Sequence, residues 1–262
     1  MVDVDQPSVA RMYDYFLGGA HNFAVDRAAA QAAMRIYPSV AAGARANRSF
    51  LNRAVRHLVG AGIEQFLDLG SGIPTAGNVH EIAQRINPDC RVVYVDREPV
   101  AVAHSTRILD GNPRVVAIEG DLRQPAAVLD HPALRRLLDM GRPVAVLTVA
   151  VLHFVPDSDD PARILAAYRD AVAPGSYLVV SHGSTDGLPP TAMDAGEDVM
   201  GIYNTTTNPI TTRTRAQVVE LFAGFELVEP GVVPGMDWRP DPGKPEQPDP
   251  WISFYAGLGR KT

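Results

Sequence analysis

The chain has 262 residues, of which 46% are hydrophobic and 21% are charged, a composition typical of a folded domain and not of a disordered segment. Its 24 basic and 30 acidic side chains give a net charge of −6, which disfavours a nucleic-acid partner, because phosphate contacts need clustered Lys and Arg. Cys90 is the only cysteine, so an intrachain disulfide and a cysteine-based zinc site are both excluded.

The first sixty residues are predicted to form three helices and no strand. The acidic N-terminus lacks the basic flank and apolar run of a signal peptide, and the longest apolar stretch, 143–151, is too short to cross a bilayer. We therefore expect a cytoplasmic protein with no membrane partner. Apolar spacings of three and four predict helices over 9–17 and 44–59, and an Ala-rich run predicts one over 26–36.

From Gln65 onward, predicted strands alternate with helices, which is the pattern of a mostly parallel sheet. A helix is predicted over 214–222, a partly helical insertion over 189–204, and a proline-rich loop from Trp238 to Pro250. The strands are predicted at 66–69, 91–96, 115–119, 144–149, 177–181, 225–228 and 252–258.

A glycine turn follows the first strand, in Asp68-Leu69-Gly70-Ser71-Gly72. Glycines let the backbone approach a ligand closely, and the helix that follows presents free N–H groups. In open parallel sheets, ligands bind outside the carboxyl ends of the strands. Tight strand–helix turns also use glycine without binding anything, so the turn alone is weak evidence.

The second and third strands also end in carboxylates. Asp96 can accept bonds from ribose hydroxyls, with a helix N-cap as the alternative. Asp121 can accept from an adenine amino group beside the Leu122 N–H, although a lone Gly-Asp is more often a turn. Together with Asp68 these carboxylates converge on one edge and predict an adenosine-containing cofactor. Thr75 stands where the dinucleotide fingerprint needs a third glycine, which favours S-adenosyl-L-methionine over NAD.

Six further segments carry a specific pattern, and the most specific of them lies near the N-terminus. They are Tyr13-Asp14-Tyr15-Phe16-Leu17-Gly18-Gly19, 22–27, 66–75, 93–96, 152–157 and 175–182. From about Ser8 to Lys261 the chain resembles an S-adenosyl methyltransferase family that is abundant in actinobacteria. That family is similar to class I methyltransferases.

The resemblance implies an α/β Rossmann-like fold with S-adenosyl-L-methionine as cofactor and S-adenosyl-L-homocysteine as product. The expected sheet is seven-stranded and mostly parallel, in the order 3-2-1-4-5-7-6 with the last strand antiparallel and helices on both faces. We expect an N-terminal helical extension over 1–62, packing as a lid, and a cofactor-binding domain over 63–262.

The resemblance also implies roles for individual residues. The predicted cofactor contacts are Asp68, Gly70, Ser71, Gly72, Asp96, Arg97, Asp121, Leu122, Thr148, Tyr15, Gly19 and Asn22. By region, it places Asp68, Gly70 and Gly72 by the methionine part, Asp96 by the ribose, Asp121 and Leu122 by the adenine, and Thr148 by the sulfonium. Pro74 departs from the third glycine favoured by methyltransferases in general, which leaves the path of the loop open.

The N-terminal aromatic block has two interpretations. As a lid, it would bring the aromatic faces of Tyr15 and Phe23 near a sulfonium cation and Asn22 onto a carboxylate. As an interhelix turn, it would fill the core. In the third helix, Arg45 and Arg48 are assigned to a solvated face, with a carboxylate of cofactor or substrate as the alternative partner.

Two histidines follow strands at the edge where class I enzymes often place groups that face the methyl acceptor. His153 follows the fourth strand and His182 the fifth, and either can serve as a general base because a histidine pKa lies near working pH. A hydrogen-bonded structural histidine is the alternative for each. The other histidines show no metal-ligand spacing, so we expect no metal.

The sequence therefore predicts a methyltransferase that uses S-adenosyl-L-methionine and acts on a small-molecule acceptor. We expect the acceptor to enter between the 189–204 insertion, the N-terminal helices and the loop that begins at Trp238. The alternative is a cofactor-binding regulatory protein without turnover, because no unambiguous acid–base pair is present. Thr75 and the strand–loop–strand tail disfavour a nicotinamide oxidoreductase. The sequence does not specify the oligomeric state.

Overall fold

A computed structural model describes residues 6–73, 77–204, 206, 209–243 and 249–262. Its strands are β1 (Gln65–Leu69), β2 (Arg91–Asp96), β3 (Val115–Glu119), β4 (Ala145–Val149), β5 (Tyr177–Gly183), β6 (Glu226–Leu227), β7 (Val233–Pro234) and β8 (Phe254–Arg260).

The helices described in these ranges are α1 (Val9–Phe16), α2 (Ala24–Ile36), α3 (Val40–Gly60), α4 (Val79–Ile86), α5 (Pro99–Ile108), α6 (Pro125–Leu129), α7 (Pro132–Leu137), α8 (Pro161–Ala171), α9 (Pro190–Tyr203) and α10 (Arg215–Glu220). In the described part of the chain, none of them has the length and apolar character needed to span a membrane.

The sheet runs in the order β3-β2-β1-β4-β5-β8-β6, and β7 also pairs with β8. Strands β1 to β5 pair in parallel, whereas β8 is antiparallel to β5, β6 and β7. The predicted fold class is confirmed. The predicted seventh strand is the eighth in the chain, because the two-residue strand β7 precedes it.

Apolar side chains fill both faces of the sheet. One cluster lies between the sheet and α6, α7, α8 and α10, and a second lies between the sheet and α3 and α4. The second cluster contains Trp238 and the thiol of Cys90, both fully buried. Helices therefore cover the two faces and leave the carboxyl edge of the parallel strands to other elements.

A third cluster joins the N-terminal helices to α9. Met12 and Phe16 of α1 pack with alanines of α2 and α3 and with Val199 and Tyr203 of α9. The small alanine side chains let these helices approach closely. The segment predicted as a partly helical insertion is thus a fourteen-residue helix, α9, that closes a roof with α1, α2 and α3.

Candidate active site

A cavity of about 580 Å³ lies at the carboxyl edge of the parallel strands. Its wall includes residues at the ends of β1 to β5, and residues of α1, α3 and α9 cover it. The segment 251–254 also lines it, whereas Trp238 packs against Phe50 inside the second apolar cluster and does not. Three segments were expected to border the acceptor entrance. Of these, the N-terminal helices and the 189–204 segment line the cavity.

The glycine turn is tied to the end of β2. Gly70 and Gly72 have φ of +72° and +64°, a left-handed conformation that glycine adopts readily. A Cβ at Gly70 would overlap the side chain of Val151. The N–H of Gly72 donates to Asp96 Oδ2 over 2.7 Å, and the N–H of Glu98 donates to Oδ1 over 2.9 Å. Asp96 therefore organises the turn from inside the cavity wall, while Pro74 and Thr75 lie outside the described residues.

Asp68 is a buried carboxylate at the end of β1. It is 8% exposed, lines the cavity, and receives no hydrogen bond from any residue that the structure describes. Burial raises its pKa to about 7, the charge of Asp96 adds to the rise, and Arg48 opposes it. Arg48 lines the cavity and Arg45 is exposed, so the predicted solvated face holds for Arg45 and is wrong for Arg48.

Asp121 and Leu122, which the sequence predicts to lie by the adenine, line the cavity after the end of β3. Arg123 donates to Asp121 from its main chain over 2.9 Å and from its guanidinium over 2.5 Å. Burial raises the pKa of Asp121, but these bonds and the charge of Arg123 outweigh it and hold the pKa below its usual value. Arg97 is exposed and lines the cavity near Asp121, where its charge also lowers the pKa of that carboxyl.

Four predicted cofactor contacts do not line the cavity. Thr148 is fully buried and its hydroxyl donates to a main-chain carbonyl of β5 over 3.0 Å. The hydroxyl of Tyr15 accepts from a glutamine of α2, and the amide of Asn22 donates to Asp14 over 2.8 Å. A Cβ at Gly19 would overlap the carboxylate of Asp14. These residues hold the α1–α2 turn and the sheet, and as cofactor contacts they stay predictions.

An ion-pair network fastens α1 to the start of α5. Arg11 donates to Asp26 over 2.7 Å and to Glu98 over 2.5 Å, and Arg11 and Asp26 are almost fully buried. The main-chain N–H groups of Ser8 and Phe23 also donate to Asp26. Ser8, Arg11 and Glu98 line the cavity. The N-terminal helix is thus attached two residues beyond Asp96.

A chain of hydrogen bonds crosses the cavity wall from the sheet to the roof. The N–H of Ala150 donates to Ser181 Oγ over 2.9 Å, and Ser181 donates to Asn47 Oδ1 over 2.6 Å. The Asn47 amide donates to the Tyr13 hydroxyl over 2.9 Å, which donates to the carbonyl of Ala44. Sequence reasoning missed Asn47 and Ser181, because an isolated amide in a helix and a serine in a strand carry no spacing signal.

Both predicted histidines line the cavity, with ring centroids 5.6 Å apart. His182 Nδ1 donates to the carbonyl of Gly183 over 2.7 Å, and its Nε2 accepts from Arg213 over 2.8 Å, since a guanidinium only donates. Burial lowers the pKa of His153 to about 3 and that of His182 to about 4. Both rings are therefore neutral at neutral pH, and both nitrogens of His182 are engaged.

The strand order β3-β2-β1-β4-β5-β8-β6, with a cavity at the carboxyl edge of the parallel strands, is that of the class I methyltransferase fold. Human N-acetylserotonin methyltransferase, solved in complex with S-adenosylmethionine, shares that fold, with a TM-score of 0.51 and 16% identity over 95% of this chain and 62% of that one. No curated protein matches the chain in sequence.

Two bacterial structures are much more similar. A putative methyltransferase from Thermobifida fusca is 42% identical over 98% of this chain and 97% of that chain, with a TM-score of 0.90. A DUF574 family protein from Streptomyces avermitilis is 40% identical over the whole of both chains, with a TM-score of 0.94. All 262 residues match the model of the S-adenosyl methyltransferase family, and the chain belongs to that family. Its cofactor is S-adenosyl-L-methionine, as the sequence predicted.

The residues of the cavity fit this cofactor. A buried carboxylate without a donor is costly, and an ammonium group such as that of the cofactor's methionine part would offset the cost at Asp68. Each oxygen of Asp96 can accept a second bond, which suits a pair of ribose hydroxyls. At Gly72 a Cβ would meet no described atom within 4 Å, so the bare backbone there leaves room for the part of the cofactor between these two carboxylates.

Proposed function

We propose that this protein transfers the methyl group of S-adenosyl-L-methionine to a small molecule that occupies the same cavity. One observation carries the proposal. The cavity does not end at the carboxylates of β1, β2 and β3, where the cofactor fits, but continues past the ends of β4 and β5 to α9. The human structural neighbour is named as the methyltransferase of N-acetylserotonin, which is a small molecule, and this agrees with the proposal.

On the cofactor side, the chain's own residues bind and orient. Asp68 accepts from the ammonium, Asp96 accepts from the ribose, and Asp121 with Leu122 borders the adenine. The cofactor, when bound, supplies a methyl group on an electron-poor sulfonium. The main chain at Gly70 and Gly72 would hold the methionine part of the cofactor beside the ends of β1 and β2.

On the acceptor side, His153 faces the second half of the cavity with a neutral ring. The described part of the chain offers no partner for its Nδ1, and burial holds its pKa at about 3. Such a ring is too weakly basic to hold a proton at neutral pH, so we assign His153 to the neutral wall of the acceptor side and not to general-base catalysis. We assign His182, the second candidate base, to positioning His153, because Arg213 occupies its free nitrogen.

The roof formed by α1, α2, α3 and α9 holds the two reactants together over the carboxyl edge of the sheet. Positioning of this kind can lower a barrier by roughly 7–11 kcal/mol. The hydrogen-bond chain through Asn47 and Ser181 fixes the roof on the sheet at the junction of the two halves. A regulatory protein without turnover is not favoured, because binding the cofactor alone does not require the second half of the cavity.

The test is transfer of a labelled methyl group. The purified protein, incubated with methyl-tritiated S-adenosyl-L-methionine and fractions of a small-molecule extract, should yield a labelled product that is not protein. The variant Asp96→Ala should lose both cofactor binding and product, whereas Asp130→Asn, at an exposed surface carboxylate, should keep both. Cofactor binding measured by calorimetry, with no labelled product from any fraction, would refute turnover.

A further inference from the structure

Most of the charged side chains of the cavity wall lie on one side of it. Among the described lining residues, the charged ones are Arg11, Arg48, Asp68, Asp96, Arg97, Glu98, Asp121 and Arg123. They belong to α1, to α3 and to the segments that follow β1, β2 and β3 or end those strands. The strand order places β4, β5 and β8 on the other side. The charges other than that of Arg48 thus lie in the half that suits the cofactor, and Arg48, which acts on both Asp68 and Tyr13, lies at the junction of the two halves.

The opposite half carries no ionised side chain in the described part of its wall. It is built from α9, the ends of β4 and β5 and the segment 251–254, and none of the lining residues described there is Lys, Arg, Asp or Glu. Its two histidines are neutral, because burial lowers the pKa of His153 and His182. A charged acceptor would lose hydration there without gaining an ion partner, which disfavours it strongly.

Aromatic rings form much of this uncharged half. Phe154 and Tyr203 lie with ring centroids 6.3 Å apart and planes inclined by 36°, and Tyr37 and Trp251 lie 5.2 Å apart. All four line the cavity, as does Phe254. Rings have few rotatable bonds and present flat faces, so they favour a flat guest over a flexible chain.

One polar group in this half has unused bonding capacity. The hydroxyl of Tyr203 has no hydrogen-bond partner among the described residues, although the residue is only 8% exposed and lines the cavity. A tyrosine hydroxyl can both donate and accept a hydrogen bond, so it can pair with a guest in the cavity. A guest with one hydrogen-bonding group would satisfy the hydroxyl while its rings pack on Phe154.

We propose that the methyl acceptor is an uncharged, planar aromatic compound that carries at least one hydrogen-bonding group and contacts Tyr203. This inference rests on the proposed function, since it names the substrate class of the same site. An aromatic anion of similar size would lack a counter-charge in the described wall of this half, and a saturated neutral ring system would pack less well on its aromatic rings.

Three matched probes test the inference by calorimetry, on the full chain saturated with S-adenosyl-L-homocysteine. They are 2-naphthamide, which is neutral and flat, 2-naphthoate, which has nearly the same shape but is charged, and decahydro-2-naphthamide, which is neutral but not flat. We expect 2-naphthamide to bind at least tenfold more tightly than either of the others. Equal binding of the amide and the carboxylate, or of the flat and the saturated amide, would overturn the proposal.

Two variants make the test specific to the wall. Met200→Lys places a cation in the uncharged half, and we expect it to shift the affinity ratio at least tenfold toward 2-naphthoate. The matched control is Met193→Lys, on the exposed side of the same helix, which should leave the ratio unchanged. Tyr203→Phe should weaken 2-naphthamide severalfold without changing the affinity for S-adenosyl-L-homocysteine.

The outcomes separate the inference from the proposed function. If S-adenosyl-L-homocysteine binds and none of the three probes does, or if Met193→Lys shifts the ratio as much as Met200→Lys, the substrate class is refuted and the cofactor site stands. If S-adenosyl-L-homocysteine itself fails to bind the folded protein, the proposed function fails. Thermal melting followed by circular dichroism establishes that each variant is folded.

Discussion

Asp68 should lose a proton when S-adenosyl-L-homocysteine binds. In the free protein, burial raises the pKa of this carboxyl to about 7, and no described residue donates a hydrogen bond to it. A ligand ammonium beside Asp68 favours the carboxylate and lowers the pKa toward its ordinary value. Binding therefore selects the ionised form, and the proton that the free protein carried is released.

The size of the effect follows from that pKa. A pKa of about 7 leaves about 0.9 of the Asp68 carboxyls protonated at pH 6, about 0.5 at pH 7 and about 0.1 at pH 8. If the bound form is fully ionised, proton release should equal these fractions. The affinity should accordingly rise by about tenfold between pH 6 and pH 8, because fewer carboxyls must first be ionised.

Calorimetry in two buffers of different ionisation enthalpy measures the number of protons released. Asp68→Asn should abolish the release and flatten the pH dependence, and it should also weaken binding. Asp130→Asn, at an exposed carboxylate that pairs with Arg135, should retain both the release and its pH dependence. Release below about 0.2 protons at pH 6, or equal release from Asp68→Asn, would refute this account of the site.

Three further outcomes follow from the same contacts. Asp96→Ala should weaken S-adenosyl-L-homocysteine at least tenfold by calorimetry, since charged hydrogen bonds contribute roughly 1.5–3 kcal/mol each, and unchanged affinity would remove the ribose assignment. Arg11→Met should lower the free energy of unfolding in urea by about 3–5 kcal/mol, because it leaves buried Asp26 unpaired, while Arg135→Ala at the surface should cost less than about 1 kcal/mol; equal losses would contradict this reasoning. Gly72→Ala, where a Cβ would meet no described atom within 4 Å, should weaken S-adenosyl-L-homocysteine severalfold by calorimetry, and an unaffected affinity would show that the turn lies away from the ligand.

Much of the sheet could be predicted because its strands are unbroken apolar runs. Strands β2 and β3 begin and end where the sequence predicts, since β-branched runs between polar ends have no competing pattern. The helices α6 and α7, of five and six residues, are too short to show a helical period. The two-residue strand β7 owes its existence to β8 beside it, which no local pattern reveals.

The residues of the site also divide into those that could be predicted from the sequence and those that could not. Asp68, Asp96 and Asp121 could be found from sequence because the carboxyl ends of parallel strands meet at one edge whatever the loops do. Arg48 could not, since the packing of α3 decides which of its faces covers the cavity. The α1–α2 turn could not be placed from the sequence either: the Asn22 amide donates to Asp14, only eight residues away, but the orientation of the turn depends on how α1, α2, α3 and α9 pack together.

Glu98, which contacts the N-terminal segment, lies only two residues after Asp96 of the cavity wall. This limits the replacement of the N-terminal helices by those of another protein. Glu98 receives Arg11 and Ser8 from α1, while Asp96 lies in the cavity wall. A chimera that took its first sixty residues from another protein would leave Glu98 without the cation of Arg11 and the hydroxyl of Ser8. The N-terminal helices and the segment 96–98 should therefore be exchanged together, because each supplies the other's hydrogen-bond partners.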